Sequence, residues 1–263
     1  MCTLTIVPLQ VDDPQQRGLR IVCNRDESRL RPSALPPEHR RCELRQTLMP
    51  IDPVSGGTWI GVSDAPLAAV LMNVYITQAG VSRTLPPPSA RLVSRGTIIP
   101  FILAADDLAG AVTRATQLEI ARFEPFRLVI TDRRQVAEIV WSAGQFSVGD
   151  STSLAAPLFF TSSGLGDDVV ATPRRRLFDE FFTPEADWPA AQDAFHRHVW
   201  PERAFASVWM TRREARTQSI TWVDIGPRGV RMQYGARPAD DSELVLDVPQ
   251  ELPLVSTGAA NDG

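Results

Sequence analysis

Met1-Cys2-Thr3-Leu4-Thr5-Ile6-Val7, taken with Ile21-Val22-Cys23-Asn24-Arg25-Asp26-Glu27, decides how the rest of the chain is read. Leu4 and Ile6 alternate with Thr3 and Thr5, the two-residue period of a strand with one buried face. A strand holds a terminus that otherwise frays. A small side chain at position 2 suits removal of Met1, after which Cys2 carries a thiol and the chain's free α-amine. The thiolate is the reactive form of cysteine; a free thiol titrates near about 8.5 and an α-amine near about 8. A nucleophile and a proton acceptor would share one residue, with the amine taking the place of a histidine base.

Residues 19–23 form a second short apolar run that stops abruptly at Asn24-Arg25-Asp26-Glu27. Polar clusters at strand ends are where scaffolds present catalytic groups, although the same four residues also suit a plain turn with a surface ion pair. If the two segments pair, Cys23 lies close to Cys2. As a small buried side chain it needs no further role, and an oxidation-sensing Cys2–Cys23 pair is the less favoured alternative.

Working outward, 263 residues and 29.0 kDa allow a substantial core, in one large domain or two small ones. A hydrophobic share of 43% with 22% charged residues is that of a soluble globular chain. A net charge of −4 and a pI near 5.5 argue against nucleic acid as a partner. The chain has no lysine, which rules out a Schiff-base or P-loop lysine. No basic n-region marks a leader, and no apolar run reaches the roughly 18 residues of a membrane span. Cys2, Cys23 and Cys42 make an odd set without metal-ligand spacing, so no metal site and a reduced, cytoplasmic protein are expected.

Along the chain, residues 28–46 are polar and arginine-rich with Pro32, Pro36 and Pro37, which predicts a long surface loop holding His39 and Cys42. Gly56-Gly57 introduces a strand over 58–62; paired glycines permit a positive φ or a close backbone approach. Residues 67–74 read as a buried strand ending at Asn73, whose amide either caps its own turn or donates to a developing oxyanion. Residues 77–90 read as a loop. Ser94 is a candidate N-cap for a helix over 95–105. Arg95 in its first turn opposes the helix dipole, which suits carboxylate binding as well as a surface role.

A second helix is expected over 108–120, a hairpin over 126–131 and 136–141, and a strand over 156–161 running into Thr161-Ser162-Ser163-Gly164. Thr172 as N-cap with Pro173 at the first helical position predicts a helix start. Another helix is expected over 187–199, where His196 and His198 point to different sides and share no metal. Strands are expected at 206–210, 218–224 and 229–234, with an edge strand near 243–248. This gives one domain over 1–248 and a disordered tail over 249–263. Strands fall into two groups separated by helical stretches, an order satisfied by two face-to-face sheets with helices outside.

Met1-Cys2, Asn24-Arg25-Asp26-Glu27, Arg31-Pro32, Gly56-Gly57-Thr58-Trp59-Ile60-Gly61, Asn73 and Ser94-Arg95-Gly96 occur in an order that resembles the NRDE family, which includes the transport and Golgi organisation 2 proteins. The resemblance runs from residue 1 to about residue 235. It implies an α+β fold similar to N-terminal nucleophile hydrolases: a four-layer αββα sandwich of two antiparallel sheets, with Cys2 at the mouth between them. It also implies hydrolysis of a small amide or acyl substrate through a thioester. Cys2 would be the nucleophile, Asp26 would orient its amine, Asn24 would brace the tetrad and Asn73 would donate to the oxyanion. Arg25 would pair with Asp26 or Glu27, or meet a substrate carboxylate. Where many relatives carry Ser-Asn, this chain has Ser163, a candidate substrate contact that donates one hydrogen bond without an amide's reach. Relatives have a stretch similar to Ala215-Arg216-Thr217, which makes Arg216 a candidate for a substrate anion, with a solvated loop arginine as the plainer reading. No cofactor is expected on this reading. A second class of function uses the same fold as a non-catalytic haem or lipid/acyl-CoA binding and trafficking protein, with a Cys2 thiolate on haem iron. Eukaryotic relatives are discussed in connection with haem handling and lipid metabolism.

Overall fold

The alternation at the head of the chain becomes β1 (Cys2–Leu9), which runs antiparallel to β2 (Gly18–Ser28) with Cys2 opposite Arg25 and Leu4 opposite Cys23. The structure is a computed structural model that describes residues 2–9, 16–75 and 92–255. On the other side of β1 lies β11 (Leu158–Ser162), and on the other side of β2 lies β12 (Ala215–Ile225). β13 (Gly229–Ala236) follows as a hairpin partner of β12, and β14 (Val245–Leu246) and β15 (Gln250–Pro253) both pair with β13. The first sheet thus has β1 and β2 at its centre, supported by strands from the far end of the sequence.

The second sheet takes the middle of the chain. Its strands are β3 (Leu35–Cys42), β4 (Arg45–Ile51), β5 (Ile60–Ser63), β6 (Ala68–Asn73), β7 (Phe126–Thr131), β8 (Gln135–Ser142), β9 (Gln145–Val148) and β10 (Thr152–Ser153). They lie in the order β10-β8-β7-β6-β5-β4-β3, with β9 on β8. The inner faces meet in one core: Leu4, Ile6, Leu19, Ile21 and Cys23 of the first sheet pack with Leu48, Ile60, Val62, Val70 and Met72 of the second. β6 is apolar at consecutive positions because both its faces are covered. Ala68, Val70 and Met72 face the other sheet, while Ala69 and Leu71 face α1 (Ile98–Ile102) and α2 (Leu108–Thr116). On the outer face of the first sheet, α3 (Thr172–Phe181) and α4 (Trp188–His196) bury Leu177, Phe178 and Phe195 against Phe159 and Val208. The result is the four-layer αββα sandwich of two antiparallel sheets.

Several local expectations are corrected. Residues 28–46 are no loop: the β3–β4 hairpin occupies most of them, with His39 and Cys42 in β3. Pro36 and Pro37 are tolerated because β3 ends the sheet order, where a strand needs donors on one side only, and the pairing is irregular between Leu35 and Glu38. Residues 206–210 form no strand, although the segment is tied in by Trp209 N donating to His198 O at 3.0 Å. Thr172 is no N-cap; a π-turn over Asp167–Ala171 feeds directly into α3. Pro249 does not open a tail, since β15 follows it and Val255 N donates to Asp64 O of the other sheet at 3.0 Å. The expected loop over 77–90 lies outside the described residues, as do 256–263. Among the described residues, no helix is long and apolar enough to cross a membrane.

Candidate active site

Cys2 sits at the end of β1, 7% exposed, with its side chain on the inner face of the sheet that Leu4 and Cys23 also occupy. It lines an open cavity of about 290 Å³ together with Arg25, Asp26, Trp59, Asn73 and Arg95. The backbone nitrogen of Cys2 donates to Ser162 Oγ at 3.3 Å, and its carbonyl accepts from Thr161 Oγ1 at 3.3 Å. The Cys23 thiol, hydrogen-bonded to Cys2, holds the Cys2 thiol below its ordinary value against the effect of burial. The same hydrogen bond and burial push Cys23 well up, so Cys23 keeps its proton.

Asp26 lies one residue beyond Arg25, the residue paired with Cys2, and lines the same cavity. A register shift in β12 between Thr217 and Ser219 falls beside it. Thr217 Oγ1 donates to Asp26 Oδ1 at 2.6 Å, and Arg174 NH1 stands 3.7 Å from Oδ2. Burial raises the Asp26 pKa, opposed by the Arg174 guanidinium and the Thr217 hydroxyl. Arg174 reaches it from α3 on the outer face of the sheet, 0% exposed, donating also to Thr3 Oγ1 and to the carbonyls of Ala206 and Ser207.

The cavity's second wall is ionic. Arg25 stacks 4.6 Å over the Trp59 ring and donates to Asp52 Oδ2 at 2.5 Å. Arg31 takes the same carboxylate through both oxygens, at 2.7 and 2.9 Å. Burial opposes charge on Asp52, but Arg31, the Ser55 amide and Arg25 hold its carboxyl at about 2. Arg95 enters the cavity because Gly96 packs its backbone on Gly57. A Cβ on Gly57 would lie 2.7 Å from Gly96 Cα. Thr58 N also donates to Gly96 O at 3.1 Å. Arg95 NH1 donates to Pro125 O at 2.8 Å.

The sequence profile of the Transport and Golgi organisation 2 family matches residues 1–170. The chain belongs to the Transport and Golgi organisation 2 family. No curated protein sequence matches it. Among solved structures, penicillin V acylase from Agrobacterium tumefaciens superposes with a TM-score of 0.50 at 12% identity, over 90% of this chain and 83% of that one. A variant of conjugated bile acid hydrolase from Clostridium perfringens superposes with a TM-score of 0.51 at 11% identity, over 98% of this chain and 99% of that one. The likeness is one of fold, that of the N-terminal nucleophile hydrolases.

In this Transport and Golgi organisation 2 family member, five of the eight candidate residues meet at the cavity: Cys2, Asp26, Asn73, Arg25 and Arg95. Asn73 closes β6, and its Nδ2 donates to the Tyr75 hydroxyl at 3.4 Å. Asn24 faces the opposite side of the sheet. Its Nδ2 donates to the carbonyls of His196 and Val208, both at 2.9 Å, and its Oδ1 meets His196 Nδ1 at 2.7 Å. Burial drives His196 well below its ordinary pKa, so the ring is neutral and fastens β2 to α4. Ser163 is a correction: its Oγ accepts from Leu165 N at 3.1 Å, outside the cavity lining. Arg216 is another. It is a buried residue of β12 that donates to Pro238 O, Arg237 O and Asp241, so its N–H groups close a structural corner and are not solvated.

Ser162 and Arg174 were missed. The hydroxyl next to Cys2 belongs to Ser162, the last residue of β11 and its register partner, one position before the serine that the resemblance pointed to. Arg174 had a readable signal: it stands three and four positions before Leu177 and Phe178, on the buried stripe of α3.

Proposed function

We propose that the chain, once Met1 is removed, hydrolyses a small amide with Cys2 as nucleophile. The observation that carries this reading is a buried thiol that opens onto a polar cavity also lined by Asp26, while the nitrogen of the same residue sits 3.3 Å from the Ser162 hydroxyl. The thiol gives its proton to the Cys2 amine, and Sγ attacks the amide carbonyl carbon. Asp26 holds the resulting ammonium, and Asn73 Nδ2 donates to the oxyanion. The ammonium then protonates the departing nitrogen, the C–N bond breaks, and a thioester remains. Water, deprotonated by the same amine, attacks the thioester and releases a carboxylic acid and the free thiol. The fold supports this chemistry, and a cavity of about 290 Å³ suits a small substrate.

The test combines intact-mass spectrometry with a screen of N-acyl amino acids and lactams. The expected results are loss of Met1, an acyl adduct on Cys2 during turnover, and a Cys2→Ala variant that folds but hydrolyses nothing. Undiminished hydrolysis by that variant, or a mature protein that retains Met1, ends the proposal.

A further inference from the structure

The cavity holds two guanidinium groups whose hydrogen-bonding capacity is not used up. Arg25 NH1 is buried with no hydrogen-bond partner, in a residue 5% exposed. A buried donor left so is costly and calls for an acceptor. Arg95 donates one N–H to the Pro125 carbonyl and makes no ion pair with any described carboxylate. Burial lowers its pKa, opposed by Tyr75, Glu124 and Glu27 nearby. The carboxylates of the opposite wall are engaged. Asp52 binds Arg25 and Arg31, and Glu27 lies 3.6 and 3.9 Å from the same two groups. Glu124 also lines the cavity and sets a limit on how much negative charge it accepts. An arginine presents paired N–H donors that match a carboxylate in shape as well as charge. Trp59 beneath Arg25 supplies a flat apolar surface beside them.

We infer that the substrate is a carboxylate-bearing amide of the N-acyl amino acid type, its single carboxylate held by Arg95 with Arg25 behind it while its amide carbonyl faces Cys2. The amide part rests on the proposed role of Cys2; the carboxylate subsite does not. The Gly57–Gly96 packing fixes the backbone beside Arg95, and the Pro125 carbonyl holds one N–H of its guanidinium.

The experiment is calorimetric titration of the Cys2→Ala protein with N-hexanoylglycine and with its methyl ester, then the same pair with Cys2→Ala/Arg95→Gln. The acid is expected to bind at least about tenfold more tightly than the ester, a difference of about 1.4 kcal/mol. Arg95→Gln is expected to remove that preference, and raising the salt concentration to weaken acid binding alone. Equal binding of acid and ester, no binding of either, or a preference that survives Arg95→Gln would each overturn the inference. Turnover of neutral amides by the wild type without any acid preference would leave the hydrolase standing and the subsite refuted. Arg95-dependent acid binding with no turnover and no thioester in the wild type would do the reverse.

Discussion

Cys23 makes Cys2 one member of a thiol pair, and the pair titrates unevenly. Cys23 is the deeper sulfur, at 0% exposed, and retains its proton; the hydrogen bond it gives favours the Cys2 thiolate. Alkylation of Cys2 by iodoacetamide is therefore expected to rise with pH through an inflection below that of free cysteine. Cys23→Ala should move the inflection upward, and Cys23→Ser, which keeps a donor, should bring most of it back. An inflection indifferent to residue 23 would mean that the second sulfur is packing alone. The inward orientation of Cys2 was legible from the alternation of Leu4 and Ile6. The partnership with Cys23 needed the β1–β2 register, which sequence leaves open, whereas Ser163 came from the family resemblance, one position past the hydroxyl that the β1–β11 register sets beside Cys2.

Two elements fix the cavity walls. The first is the contact between Gly57 and Gly96, where the loop before β5 touches the turn before α1 with no room for a side chain. Gly57→Ala would push a methyl group into Gly96 backbone. It is expected to cost about 1–3 kcal/mol, read as a lower urea midpoint at unchanged slope, and to weaken acid binding by displacing Arg95. The second is α3, which lends Arg174 to Asp26. Removing one partner of a buried ion pair costs about 3–5 kcal/mol, so Arg174→Met should be strongly destabilised. Without the guanidinium, the Asp26 pKa climbs further, the folded state binds its proton more readily, and the deficit should shrink as pH falls. Asp26→Asn combined with Arg174→Met should recover part of the loss; a double variant no better than the single would show that Arg174 acts through its carbonyl contacts instead. The glycine pair could be marked from sequence as a close-approach site, though not what approached. The β3–β4 hairpin was hidden because an edge strand tolerates prolines and charges that elsewhere mean loop.

At the scale of the molecule, the two-group pattern of strands announced the sandwich, and β6 announced a strand covered on both faces. What it could not announce was the return of the chain's end. β15 carries few apolar residues, yet Leu252 is 4% exposed against the intersheet core, and Val255 bonds to Asp64 across the sandwich. Deleting residues 250–263 is expected to cost at least the roughly 1.5–3 kcal/mol of Leu252 burial, measured as a lowered thermal midpoint. An unchanged midpoint would show that the two sheets need no such clasp. The placement of β1 also sets a timetable. Its flanking strand β11 comes more than half-way along the chain, and the support of β2 awaits β12. At about 5–20 residues per second, a nascent polypeptide keeps Cys2 unsheltered for roughly ten to forty-five seconds. On the proposed function, an aminopeptidase has that interval to remove Met1, and any oxidant present has the same interval to spoil the sulfur before the last strands shut it in.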